Sequence, residues 1–148
     1  MTRKQHVDHW LKDASESLKD MRSAMKSKRR VNALFCGHLA VEKMLKALCV
    51  AKNIQVVKEH RLHVLSDIAG LTSHITNSQR DELMIISRFN IEARYADYKQ
   101  RFYEACTPKF ADEWSKKITL WYKEFKNLAL QERAALPNNE SDSQAFVK

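Results

Sequence analysis

Apolar residues recur three and four apart from the start of the chain, at Val7, Leu11, Ala14, Leu18, Met21 and Met25, with Trp10 widening the stripe. That period predicts an amphipathic helix from Thr2 to about Lys28. From Val31 to about Lys52 the pattern is denser, and Leu34, Phe35, Val41, Met44, Leu45, Leu48 and Cys49 spread over more than half of a helical circumference. A helix so coated is expected at the centre of the fold.

The pattern stops between Asn53 and His60, then resumes through Leu62, Leu65, Ile68 and Leu71, which predicts a short third helix over 61–71. A loop rich in Ser, Thr and Asn follows from Thr72 to Ser78. Ser78 is placed to cap a fourth helix through Leu83, Ile86 and Phe89, with Asp81 and Glu82 suiting its positive end. The stretch 91–106, IEARYADYKQRFYEAC, has no clean stripe, so either an irregular loop or a partly helical strap fits it. Pro108 then opens a last helix whose Phe110, Trp114, Ile118, Trp121, Phe125 and Leu128 repeat regularly to about Arg133. The expected fold is all-α: one domain over 1–133 forming an antiparallel up-and-down bundle of four to five helices, and a disordered tail over 134–148.

Composition agrees with this reading. Apolar residues make up 44% and charged residues 30%, while only two glycines and two prolines are available to build turns, so long helices and few loops follow. No stretch reaches the roughly 20 apolar residues a membrane span needs, and the first ten residues have no apolar signal core, so a cytoplasmic protein is expected. Cys36, Cys49 and Cys106 form no close pair and read as reduced thiols. His6, His9, His60, His63 and His74 show neither HExxH nor zinc-finger spacing, so no metal and no other cofactor is expected.

Charge changes the picture more. The net charge of +8 draws polyanions to the molecule whatever their sequence. Lys26, Lys28, Arg29 and Arg30 close the first helix, where they serve either as a solvated, dipole-complementing end or as a phosphate-contacting patch. With Gly37 and Gly70 the only glycines, no glycine-rich phosphate loop can be assembled, and phosphate would have to be held by Arg and Lys side chains.

Two groups of residues offer that chemistry. Glu42, Lys43 and Lys46 set two ammonium groups beside one carboxylate, or form an ordinary helix ion pair. Arg94, Tyr95, Asp97 and Tyr98 set cationic and aromatic groups side by side, as base stacking with phosphate contact requires, or else pack on the bundle with Asp97 paired to Arg94.

Three segments, in order, carry a resemblance. Phe35-Cys-Gly-His-Leu-Ala-Val-Glu-Lys-Met-Leu-Lys-Ala-Leu48 resembles the second-helix signature of HEPN domains, His60-Arg-Leu-His-Val-Leu65 the His-x-Leu step opening their third helix, and Glu92-Ala-Arg-Tyr-Ala-Asp97 their Ala-Arg-Tyr-x-Asp segment. The resemblance implies a helical bundle, commonly a homodimer, that binds nucleotide or RNA and often pairs with a small nucleotidyltransferase as toxin and antitoxin. It also implies, for the ribonuclease branch, an Arg followed four to six residues later by His. The corresponding region, Arg88-Phe-Asn-Ile-Glu-Ala-Arg-Tyr95, has no histidine, and Arg3 to His9 is a chance spacing at the wrong end.

The expected function is therefore a nucleotide- or RNA-binding module in which Lys43, Lys46, His60 and Arg94 contact phosphate, Tyr95 or Tyr98 stacks on a base, and Glu42 and Asp97 complete the site. No catalytic residue is assigned. The alternative is a divergent metal-independent ribonuclease acting as a dimer, with Arg94 stabilising charge. A third possibility is protein binding through Trp10, Trp114 and Trp121, unless these belong to the core.

Overall fold

Helix ends are the scarce resource in a chain with two glycines, and three of them are built the same way. The computed structural model, which describes residues 1–139, places α1 at Arg3–Lys26, α2 at Arg30–Ala51 and α3 at Leu62–Ile68. Each ends in a left-handed residue: Lys28 (φ 60°), Asn53 (φ 60°) and Gly70 (φ 81°). In each case the next residue's N–H reaches back to the last turn, Arg29 to Ala24, Ile54 to Cys49 and Leu71 to Ser66, at 2.8, 2.8 and 2.9 Å. This arrangement satisfies carbonyls that a helix end otherwise leaves orphaned. Only one of the three positions has the glycine that suits it.

A 3₁₀ turn at Thr72–His74 leads to α4 at Asn77–Glu92, then α5 at Ala96–Ala105 and α6 at Pro108–Ala134. The cap of α4 is Thr76, not Ser78: its hydroxyl accepts from the Gln79 N–H while the Gln79 side chain returns to the Thr76 N–H, a reciprocal pair that Ser78 cannot make from inside the helix. The third helix stops at Ile68, earlier than its stripe, because Gly70 turns the chain. The open stretch 91–106 resolves into the end of α4, a turn and α5, the fifth of six α-helices among the described residues. Only Phe102 of α5 is buried, stacked on Phe89 at 5.4 Å, which explains the missing stripe.

Cross-contacts fix the directions. Ser17 of α1 meets Lys43 of α2, and Asp8 meets Arg133 of α6, so α1 runs against both. Glu82 and Phe89 of α4 meet Trp121 and Trp114 of α6, so those two are antiparallel as well. The four long helices therefore alternate up and down. Helix α2 touches all the other α-helices and buries fifteen of its residues, as its dense apolar coat required. Gly37 makes this possible: a Cβ there would stand 2.7 Å from Met21 Sδ and 2.8 Å from Ile118 Cδ1, so its absence lets α1, α2 and α6 close together. Trp10, Trp114 and Trp121 are all buried, which places them in the chain's own core. No helix is long and apolar enough to cross a membrane among the described residues. The expected tail falls largely on residues 140–148, outside the described residues.

Candidate nucleic-acid interface

Where α1 turns into α2, the strained backbone of Lys28 and the two arginines after it face the turn between α4 and α5. The result is a cleft of about 800 Å³. Lys28, Arg29, Arg30, Val31, Asn32 and Phe35 form one wall, and Ala93, Arg94, Lys99, Tyr103 and Cys106 the other. Five cations line it and, among the described residues, no carboxylate does. Glu92, next to the lining residue Ala93, is engaged by Arg88 at 3.1 Å. Five like charges lining one cleft produce a local positive potential that a phosphate would relieve.

The first turn of α2 opens into the same space without a side-chain cap, since Arg29 occupies the N-cap position and makes no capping bond. Arg94 is held in place by its Nε–H, which donates to the Asn90 carbonyl at 3.0 Å, and its guanidinium lies 5.6 Å from the Tyr95 ring centre. Tyr95 and Tyr103 are exposed, and Phe35 is half-buried at the cleft wall. Such rings offer faces on which bases can stack.

The Glu42 group is a separate structure. Glu42 is buried and its Oε2 accepts from Lys46 Nζ at 3.1 Å, while Oε1 accepts from His60 Nδ1 at 2.8 Å. Lys46 is itself buried and sits 5.7 Å from the Trp10 ring centre. Lys43 turns the other way and donates to Ser17 Oγ at 2.9 Å. His38, also buried, donates from Nε2 to the His60 carbonyl at 2.8 Å and leaves Nδ1 without a partner. Burial pushes its pKa below the usual histidine value, against the raising effect of Glu42.

The seven expected contact residues are thus dispersed. Arg94 lines the cleft with Tyr95 beside it; Tyr98 lines a different groove, of about 480 Å³, with Arg88 and Arg101; Asp97 stands in the first turn of α5. Lys43 and Lys46 lie further along α2 and His60 in the connection between α2 and α3, and Glu42 serves Lys46 and His60 rather than Lys43. Lys28, Arg29, Arg30, Lys99 and Tyr103 were the residues missing from the expected set. Their signal was the basic run at the end of α1, one of whose two readings was a phosphate patch, and the four-residue spacing of Lys99 and Tyr103. Among the described residues no three His, Cys, Asp or Glu side chains are grouped so as to hold a metal ion.

In comparison with known proteins, the family model described as HEPN domain matches residues 7–126. No curated protein matches the chain. No solved structure matches it either.

Proposed function

The chain belongs to the HEPN domain family, whose members have nucleotide- and RNA-related functions, and we propose that it binds single-stranded RNA in the basic cleft. The observation that carries this reading is the convergence of Lys28, Arg29, Arg30, Arg94 and Lys99, from the α1–α2 and α4–α5 connections, on one space that no carboxylate lines among the described residues. Cations position the backbone, and Phe35, Tyr95 and Tyr103 take bases by stacking, which is tolerant of sequence. Lys46 belongs to the interior and supports the fold of this face instead of meeting the ligand.

Salt dependence tests the proposal. Each phosphate neutralised on a single strand contributes about 0.7 to the slope of log affinity against log salt, so five cations give a slope of about −3.5 and a roughly 130-fold loss between 50 and 200 mM. Fluorescence anisotropy with a labelled RNA 12-mer measures it. A slope near zero would reject the cleft as a phosphate site, and equal competition by a mononucleotide would reduce the ligand to a nucleotide. The same reading takes the chain as a homodimer and as the HEPN half of a toxin–antitoxin-like pair with a nucleotidyltransferase. Both of these rest on the family resemblance, and light scattering of the purified chain checks the first.

A further inference from the structure

The cleft lies at the end of α4; at its start, the 3₁₀ turn and the first residues of α4 leave one side of α6 uncovered. Two hollows there, of about 310 and 190 Å³, share Leu71, His74, Glu124 and Leu128 and so form one groove. Its α6 wall runs from Lys117 to Glu132, about 22 Å at 1.5 Å per residue. Leu71, Trp121 and Phe125 are buried in the floor, Ile75 and Leu128 are half-buried on the sides, and Leu120 stands at the lip, 67% exposed. An apolar trough of this length, with a leucine left in water at its edge, matches about four turns of an amphipathic helix.

The fixed charges decide what kind of helix. Lys117 faces Glu82 at 3.6 Å and lies 5.2 Å from the Trp114 ring centre, and Lys52 donates to the Ala69 carbonyl at 2.7 Å. Both cations of the groove are therefore engaged by the chain's own groups. The carboxylates of Glu124 and Glu132 make no ion pair or hydrogen bond among the described residues. They stand eight residues apart on α6, about 12 Å. On a chain of net charge +8, this groove offers two carboxylates to whatever enters it. A phosphate backbone is repelled there, whereas the lysines or arginines of a polypeptide are drawn in.

We propose that this groove docks a partner protein through a basic amphipathic helix of about four turns. The apolar face of that helix lies on Leu71, Leu120 and Leu128, and its cations stand opposite Glu124 and Glu132. The groove shares no lining residue with the basic cleft, so the proposal does not depend on the RNA reading, and a strand and a protein have separate places on the chain.

The test titrates the full chain into a fluorescein-labelled 15-residue peptide with leucine at helical spacing and lysine elsewhere, and into the same peptide with glutamate for lysine. Anisotropy is expected to show the lysine peptide bound and the glutamate peptide at least about ten-fold weaker. The double variant Glu124→Lys, Glu132→Lys is expected to lose about ten-fold for the lysine peptide while binding RNA no more weakly than the wild type. Leu120→Ser, at an exposed position whose change leaves the core intact, is expected to lose about five-fold. Absence of binding, equal binding of the two peptides, or wild-type affinity in both variants would overturn the proposal. A dimer that dissociates on Leu120→Ser, seen by light scattering, would overturn it as well, by giving the groove to a second copy.

Discussion

Lys28 holds φ at 60°, a conformation in which any Cβ crowds the following carbonyl. Glycine at this position would release about 1–2 kcal/mol of that crowding and return roughly 0.4–1 kcal/mol to the greater freedom of the unfolded chain. The net expectation for Lys28→Gly is a gain of about 0.5–1 kcal/mol, or roughly 2–3 °C in melting temperature for a chain this long. Both hydrogen bonds that close α1, Lys28 N–H to Met25 and Arg29 N–H to Ala24, are backbone bonds and survive the change. Binding is expected to move the other way. Losing one of five phosphate contacts lowers the salt slope to about −2.8, the loss between 50 and 200 mM to about 50-fold, and the affinity at 100 mM by about five-fold. Differential scanning calorimetry and anisotropy on the same preparation measure the two effects. A variant that is more stable and binds RNA with the wild-type salt slope would refute the place of Lys28 in the phosphate site. A variant that is less stable would refute the argument about its backbone.

Three further outcomes follow from the same geometry. Breaking the buried pair with Glu42→Gln or Lys46→Met alone is expected to cost about 3 kcal/mol in urea unfolding, and the double variant less than either, because the penalty is an unpaired buried charge and not the lost attraction; additive costs would contradict this. His38 is a histidine whose folded pKa lies below its unfolded value of 6.5, so its contribution to stability is full above 6.5 and is lost as pH falls through the folded value; His38→Gln is expected to flatten the fall in stability below pH 6.5, and an unchanged pH profile would rule the effect out. Burial pushes the Cys49 and Cys106 thiols up to about 11, and Cys36 is raised too but partly exposed, so a disulfide reagent at pH 8 is expected to label Cys36 first and slowly; first labelling at Cys106 would mean that the cleft wall opens.

Much of the architecture was legible because long helices write their buried faces as a period. Val7 to Met25 and Phe110 to Leu128 gave α1 and α6 directly, and the coat of Leu34 to Cys49 announced the central helix. Helix α5 was not legible, since a helix anchored by Phe102 alone has no period to read. The Thr76–Gln79 capping box stood in the sequence two residues before the serine taken as the cap. The site was harder for a different reason. Spacing shows that Glu42 and Lys46 share a face, but not that the face is turned inward against Trp10, nor that Lys43, one residue round, turns towards Ser17. Charge runs are read by sign, and only the fold shows that Lys28, Arg29 and Arg30 confront Arg94 and Lys99 across a cleft.

Where the RNA lies is the central claim, and photocrosslinking addresses it most directly. A single-stranded RNA carrying 4-thiouridine, irradiated on the protein at low salt and mapped by mass spectrometry, is expected to mark peptides containing Phe35, Tyr95 and Tyr103. Crosslinks confined to the outer face of α6, with none on the cleft walls, would contradict the account.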